Sequence, residues 1–478
     1  MKINPLIFRA YDLRGVVGKD LTEEVVEHIG KAFGTFLRRR GMTEAIVSRD
    51  SRETSKLYSE ALIRGMCWTG VNVTDIGMNL VGTFYWSQYH LSIKGGAYVT
   101  ASHNPPAFNG FKFANDFSET LVTEGMNELR DLVLNEDYEE GKVFGEKKII
   151  TIQDVYFNDV LSRLPLSKRF RVVLDPSGTT AGSIVPALLR KAGCEVIEKN
   201  CKIISTFFEG AADPTESRIA QRLSREVLEA KADIGFSYDT DGDRIGIVDE
   251  KGGVIWNDVL VALFALDVLH EHPGETIMFN TLCSQVVPET IHNAGGKPFM
   301  WRTGHSFLKK KNQEVRAAFI GELSGHFFFS RDFYNHDDGI YSTMRLLRYL
   351  AKTQKSLSQA VAGLPQYISS PEIKIYVADD QKVGLIKKVG KILRDDYRDA
   401  RIIDDERAGD GVRFEVKDVM FVIRYSQNGP YLTIKFEAKT KSRYDEIRAY
   451  LSTLLRRFSE IDWKSDINVN VEALMAEV

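Results

Sequence analysis

One pattern recurs three times in this chain: a short apolar run, a polar loop, a helical stretch, and a second apolar run entered through glycine. Over residues 45–77 it reads Ala45 to Val47, then Ser48-Arg49-Asp50-Ser51-Arg52, a helix, and Gly70-Val71-Asn72-Val73. Over 171–198 it returns as RVVLD, Pro176-Ser177-Gly178-Thr179-Thr180, a helix, and Gly193-Cys194-Glu195-Val196. Over 276–301 it is TIMFN, Thr281-Leu282-Cys283-Ser284, a helix, and Gly295-Gly296-Lys297-Pro298-Phe299. Strand, loop, helix, strand is the grammar of an α/β protein. Spacing of about a hundred residues is the size of a domain, so the repeat predicts three related α/β domains in tandem. Residues 21–39 supply a further helix, with Val25, Val26, Ile29, Phe33, Phe36 and Leu37 on one face.

The C-terminal part changes grammar. Val412–Val416, Val419–Tyr425 and Tyr431–Ala438 are β-rich runs joined by short polar turns, which predicts an antiparallel sheet, and 442–459 returns to helical spacing. Length alone, 478 residues at roughly 150 per domain, gives about three domains. The change of pattern makes four: 1–149, 150–253 and 254–367 as α/β units, and 368–478 as an α+β unit beginning just before Ser369-Ser370-Pro371.

Charge and cysteine usage narrow the function classes. The 63 Lys and Arg against 66 Asp and Glu leave a formal charge of −3, without the basic field that nucleic acid binding needs. Arg38-Arg39-Arg40 reads as charge at a helix C-terminus. Cys67, Cys194, Cys201 and Cys283 form no CxxC pair, which argues against zinc and for free thiols in a reducing, cytoplasmic compartment. The apolar run from Val259 stops at Asp267 and is too short to span a bilayer, and no signal peptide is expected at the N-terminus. A nucleotide P-loop, a GxGxxG fingerprint, an HExxH pair and a GxSxG elbow are all missing from the sequence.

Five motifs could carry chemistry. Thr100-Ala101-Ser102-His103-Asn104-Pro105 follows the run Gly96 to Val99, and the proline pushes Asn104 out of helical backbone at a strand end where α/β proteins bind ligands. Ser102 is there a candidate nucleophile or phosphoryl carrier, or simply a turn serine capping an amide. Lys112 follows in Asn109-Gly110-Phe111-Lys112 as a phosphate cation.

Asp239, Asp241 and Asp243 in DTDGDR concentrate charge that needs a cation, and oxygen-only ligation points to Mg²⁺ or another hard ion. An EF-hand loop fails on Arg244 at its sixth position. A haloacid-dehalogenase-type loop would make Asp239 the nucleophile but finds Asp243 where Thr or Val is usual, and a solvated acidic turn is the plain alternative.

Arg302-Thr303-Gly304-His305-Ser306 and Gly321-Glu322-Leu323-Ser324-Gly325-His326 place Glu and Ser for sugar hydroxyls and His for phosphate or protons. Arg424-Tyr425-Ser426-Gln427-Asn428-Gly429-Pro430 is either a phosphate cradle or a plain hairpin turn. Phe8 to Gly15 adds two arginines in a loop.

Taken in order, FRAYDLRG, TASHNPP-x-x-NGFK, DTDGDR, RTGHS, GELSGH, DDGIY and RYSQNGP resemble the α-D-phosphohexomutase family, nearest its bacterial and archaeal phosphomannomutase/phosphoglucomutase branch, across nearly the whole chain. The resemblance implies four domains around a central cleft. It implies that Ser102 carries a phosphoryl group and, with Asp239, Asp241 and Asp243, binds one Mg²⁺. It further implies that Glu322 and Ser324 hold sugar hydroxyls and that Arg424, Ser426 and Asn428 hold the phosphate that is not being transferred. Arg14, Lys112, Arg244, His305 and His326 would surround the reacting centre, supported by His103 and Tyr11, and Arg302 would bind substrate.

The implied reaction interconverts hexose 1-phosphate and hexose 6-phosphate, of mannose or glucose, through a bound hexose 1,6-bisphosphate. A phosphoglucosamine mutase, an aspartyl phosphatase and a non-catalytic sugar-phosphate-binding protein are the alternatives. Phosphorylated hexoses would be its partners, without nucleic acid or membrane, in a monomer or homodimer. Three positions depart from the family pattern: Asn428 where Thr is common, Thr240 where Gly is common, and Leu282 where a basic residue often stands.

Overall fold

The expected helix near 21–39 forms over Glu23–Arg38, and its ends follow from its sequence. The Thr22 hydroxyl accepts from the Val25 amide, Glu23 and Glu24 occupy the first turn, and Arg38 the last. The next two arginines pair outward, Arg39 with Asp137 and Glu139 and Arg40 with Glu128. This helix packs tightly on Ser55–Trp68 because glycines meet there: a Cβ on Gly30 would lie 2.3 Å from the Leu62 carbonyl oxygen, and one on Gly65 2.2 Å from that of Glu27.

The protein is described by a computed structural model covering residues 3–427 and 429–475. Four sheets organise it. In the first, Glu44–Arg49 lies between its parallel neighbours Asn72–Met78 and Gly95–Val99, and Phe108–Asp116 pairs antiparallel with Gly95–Val99. In the second, Arg171–Asp175 lies between Glu195–Glu198 and Ile234–Tyr238, and Ile245–Asp249 runs antiparallel beside the latter. In the third, Thr276–Asn280 lies between Lys297–Trp301 and Phe319–Gly321, followed by the antiparallel Phe327–Phe328.

The strand order second, first, third, fourth is therefore the same three times, with only the fourth reversed. The repeat read in the sequence is a repeat in space. It was read from the first two strands alone, and the third and fourth strands complete each unit.

The fourth sheet is antiparallel, in the order Arg401–Ile403, Gly411–Val416, Val419–Tyr425, Tyr431–Ala438, Ile373–Val377, Ile461–Asp462. Helices Lys382–Asp396 and Lys441–Leu455 share a core with it that contains Leu385, Val389, Phe414, Phe421, Ile434 and Leu451.

Cores and seams divide the molecule unequally. A single apolar cluster runs through the first three domains, joining Phe84 and Tyr98 to Phe236, Tyr238, Phe264, Phe319 and Tyr341. The fourth domain keeps its own core, lends Met420 and Val422 to the shared cluster, and also meets the others through polar contacts. Lys374 Nζ lies 3.0 Å from Asp213 Oδ2, and Arg413 donates to the carbonyls of Thr281 (2.7 Å) and Cys283 (2.6 Å). The Gln285 amide donates to Glu437 at 2.7 Å, and Lys435 Nζ lies 3.2 Å from Asp258. The cysteines are free, and among the described residues no helix is long and apolar enough to cross a membrane.

Candidate active site

The loop joining the third strand to the reversed fourth strand occupies the same slot in each α/β domain, and the three loops meet. The first carries Ser102, the second Asp239, Asp241 and Asp243, the third Glu322 and His326. Reversing direction after the third strand leaves polar backbone and short side chains at the carboxyl edge of each sheet, where α/β proteins place ligands.

Ser102 is buried, with left-handed backbone at φ 49°. Residues other than glycine are uncommon in that conformation. Arg52, from the loop after the first strand, braces it here. Its Nη2 donates to the carbonyls of Ser102 (2.5 Å) and Asn104 (2.6 Å), and its Nη1 to those of Pro105 (3.0 Å) and Phe108 (2.9 Å). The Ser102 amide donates to Thr100 Oγ1 at 2.8 Å. Its hydroxyl donates to Asp239 Oδ2 at 2.8 Å and lies 3.3 Å from His103 Nδ1. Burial holds the His103 imidazole well below its ordinary pKa, helped by the nearby Arg244.

The three aspartates are fully buried, and their carboxylate oxygens gather within 4.8 Å of one another. Lys112 reaches between two of them, 2.8 Å from Asp241 Oδ2 and 2.5 Å from Asp243 Oδ2. Burial would favour the neutral amine, yet Asp241 and Asp243 outweigh it and raise the Lys112 pKa well above its usual value. Burial and then the two neighbouring carboxylates push Asp239 well up. One lysine thus leaves the cluster short of positive charge. Asp241 Oδ1 and Asp243 Oδ1 have no hydrogen-bond partner, and buried orphan acceptors of this hard, oxygen-only kind fit a divalent cation.

Around this centre, Arg14 donates to Asp12 (2.8 Å), the Ala101 carbonyl (3.2 Å) and Asn104 Oδ1. Arg244 Nε donates to His326 Nε2 at 3.1 Å and lies 4.0 Å from Asp239. His326 stacks on His305 with ring centres 5.0 Å apart, and Tyr11 meets His305 edge-on at 5.0 Å. Glu322 Oε1 accepts from the Gly304 amide at 2.9 Å, while its buried Oε2 has no partner. Burial raises the Glu322 pKa. Ser324 is half-buried on the same loop.

These residues form one constellation drawn from three domains. The matched family models describe the first, second and third alpha/beta/alpha domains of phosphoglucomutase/phosphomannomutase, over residues 5–140, 154–253 and 256–367.

The chain belongs to the phosphoglucomutase/phosphomannomutase family.

A phosphomannomutase/phosphoglucomutase of Pseudomonas putida is 36% identical over 451 residues, 94% of this chain and 96% of its own. A phosphoglucomutase of Neisseria meningitidis is 30% identical over 459 residues, 96% of this chain and 98% of its own. The crystal structure of a phosphoglucomutase/phosphomannomutase family protein from Burkholderia thailandensis superposes with a TM-score of 0.85 at 30% identity, covering 95% of this chain and 98% of that one. This member of the α-D-phosphohexomutases is accordingly a sugar-phosphate mutase.

The remaining expected residues sit at the seam with the fourth domain. Arg424 is the penultimate residue of strand Val419–Tyr425 instead of lying in the turn, and it donates to Asp410 from Nε (2.7 Å) and Nη2. The Ser426 hydroxyl accepts from the Gly429 amide at 3.2 Å, and Asn428 lies outside the described residues. Arg302 packs over Phe307 and against Gly409, beside Asp410. Leu282 is buried in the shared core, Arg413 binds the carbonyls on either side of it, and Thr240 is fully buried.

The sequence reading missed Arg52, which it placed in a loop without a role, and Asp337, present in DDGIY but unassigned. Asp337 Oδ2 accepts from His326 Nδ1 at 2.7 Å. It also missed Asp213, which lies between Lys374 and Arg244 at 3.0 and 3.9 Å.

Proposed function

We propose that this mutase interconverts hexose 1-phosphates and hexose 6-phosphates, of mannose, glucose or both, with Ser102 as the phosphoryl carrier. The observation that carries this reading is the Ser102 hydroxyl 2.8 Å from Asp239, inside a charge-deficient carboxylate cluster that also holds Lys112. A phosphoserine adds about −1.5 to −2 charges at neutral pH. Beside three buried carboxylates, such a group calls for cations on every side.

Asp239, Asp241 and Asp243 would hold Mg²⁺ together with the phosphorylated Ser102, and the ion would supply Lewis-acid stabilisation of the transferring phosphoryl group. Lys112 and Arg244 supply fixed positive charge, already desolvated and aimed, at the same place. His326 Nε2, which accepts from Arg244 in this structure, takes the proton from the attacking sugar hydroxyl once Arg244 has turned to the phosphoryl group. The new oxygen–phosphorus bond forms as the bond to Ser102 Oγ breaks, leaving Oγ as an oxyanion offset by the surrounding positive charge; in the return half Oγ attacks the other phosphate, and His326 gives its proton to the other sugar oxygen as that oxygen leaves. The hexose 1,6-bisphosphate so formed turns over within the cleft before its other phosphate returns to Ser102.

Glu322 and Ser324 grip sugar hydroxyls. Arg424 and Ser426, with Arg302 beside them, hold the phosphate at rest in either orientation. The domain divisions 1–149, 150–253, 254–367 and 368–478 assign the serine, metal, sugar and phosphate loops to one domain each. Four separate free thiols favour a cytoplasmic enzyme.

The test measures turnover of glucose 1-phosphate, mannose 1-phosphate and glucosamine 1-phosphate with Mg²⁺ and a trace of hexose 1,6-bisphosphate, alongside the intact mass. Ser102→Ala is expected to abolish turnover and the phosphoryl mass increment. Full activity in that variant, or turnover of glucosamine 1-phosphate alone, would overturn the reading.

A further inference from the structure

Behind His326 lies a row of buried polar groups that no step above uses. Asp337 is fully buried, between strand Phe327–Phe328 and helix Gly339–Thr353, which Asp338 caps by accepting from the Tyr341 amide. Its Oδ2 accepts from His326 Nδ1 at 2.7 Å and lies 3.6 Å from His305 Nδ1. Its Oδ1 has no hydrogen-bond partner and faces Lys309 Nζ at 3.8 Å. Lys309 is itself fully buried and makes no hydrogen bond through its amine, which lies 4.1 Å from the centre of the Tyr85 ring.

A buried ammonium and a buried carboxylate cost several kcal/mol each to desolvate, so a pair kept here needs a reason. The other side of the imidazole supplies one. Arg244 Nε is an obligate donor and points at His326 Nε2 at 3.1 Å. Nε2 must therefore be the acceptor and Nδ1 the protonated nitrogen, and Asp337 is the acceptor for that proton.

We infer that Asp337 is a positioning residue, locking His326 in the Nδ1–H tautomer, whose Nε2 lone pair accepts from Arg244 here and is released to the sugar hydroxyl when Arg244 turns to the phosphoryl group, and that Lys309 is the buried counter-charge holding Asp337 in place. The alternative tautomer would set a hydrogen on Nε2 against a hydrogen on Arg244 Nε, and would leave no lone pair to take a proton from the sugar hydroxyl. A carboxylate fixing the tautomer of a catalytic histidine is worth about 10⁴ in kcat where that has been isolated in a serine protease. His305 stacks on His326 and limits rotation of the ring. This inference rests on His326 as the proton acceptor proposed above.

The test reads the tautomer directly, by ¹⁵N NMR of histidine-labelled full-length protein, with the His326 signals assigned from their loss in His326→Gln. In the unaltered protein Nδ1 is expected in the protonated range and Nε2 in the lone-pair range; the reverse pattern overturns the inference without any variant. Asp337→Asn should mix the two tautomers and lower kcat by roughly 10²- to 10⁴-fold, with KM within a few-fold. A kcat loss with the tautomer unchanged, or a tautomer change with kcat unchanged, would each refute it. Lys309→Met should loosen the same signature more weakly, and a wild-type spectrum in that variant refutes the role of Lys309. Activity surviving in Ser102→Ala would overturn the phosphoserine reading and leave these spectra as they are.

Discussion

The guanidinium of Arg52 donates to the carbonyl oxygen of Ser102, and through that contact and three more fixes the left-handed backbone of the serine. Two loops fifty residues apart in sequence are thus one structural unit, with the backbone of the serine braced from outside its own loop. Arg52→Ala removes four hydrogen bonds to a charged donor, each worth about 1.5–3 kcal/mol. The variant should unfold at clearly lower denaturant and turn over poorly while still binding hexose phosphate. Arg52→Lys should recover little, because one ammonium cannot reach four carbonyls in the plane of a guanidinium. Denaturation midpoints and kcat measured together check this, and wild-type kcat in Arg52→Ala would sink it.

Asp410 holds Arg424 through two of its nitrogens, a fixed orientation that the proposed phosphate site requires. Arg424→Ala should raise KM by roughly 10- to 100-fold with a smaller change in kcat. Asp410→Asn should produce a milder version of the same effect. Initial-rate kinetics on hexose 1-phosphate distinguish the two parameters, and an unchanged KM in Arg424→Ala counts against the distal phosphate site.

Divalent cation should stabilise the folded chain measurably. Binding to the folded state alone contributes about 2.7 kcal/mol at a hundred times Kd. Thermal melts with Mg²⁺ and with a chelator should therefore separate, and Asp241→Asn should collapse the difference. Identical melts in both buffers would speak against the carboxylate cluster as the metal site, and chelation should also abolish turnover.

His336 and Asp338 flank Asp337 and titrate in opposite senses. Burial lowers the His336 imidazole from 6.5 to about 4. Its contribution to stability is complete above pH 6.5 and is lost as pH falls toward 4. Burial raises the Asp338 carboxyl from 3.8 to about 6, against the hydrogen bonds from Tyr156 and the Tyr341 amide. Its contribution is complete below pH 3.8 and is lost as pH rises toward 6. Each amounts to about 3 kcal/mol at 1.36 kcal/mol per unit. The stability advantage of wild type over His336→Gln should therefore grow between pH 4 and 6.5, while that over Asp338→Asn should shrink between pH 4 and 6. Unfolding titrations across this range give both differences, and two flat curves would refute the assignment.

Strand and loop identities were open to reading because they depend on neighbours in sequence. RVVLD and TIMFN are apolar runs closed by turn residues, and DTDGDR advertises its charge locally. The pairing of the three loops was legible only through the order of many motifs, since nothing local in TASHNPP says that its serine touches Asp239. Arg52 and Asp337 were beyond reach for the same physical reason. Each acts on a residue it meets only after the chain has folded, Arg52 through backbone carbonyls that leave no mark in side-chain pattern, and Asp337 through an imidazole eleven positions away across a sheet edge. Leu282 taught the converse, since only its burial explains how an apolar residue is accommodated in that loop.

The shared apolar cluster of the first three domains reaches the fourth only at Met420 and Val422, and the rest of the fourth domain packs on its own core. The three loops of the candidate centre stand on domains that share one apolar cluster, whereas Arg424 stands on a domain that adds only Met420 and Val422 to that cluster and is otherwise joined by hydrogen bonds and ion pairs. Water and salt compete for such joints far better than they compete for packed phenylalanines. Salt should therefore loosen the seam of the fourth domain before it disturbs the packed joints among the first three.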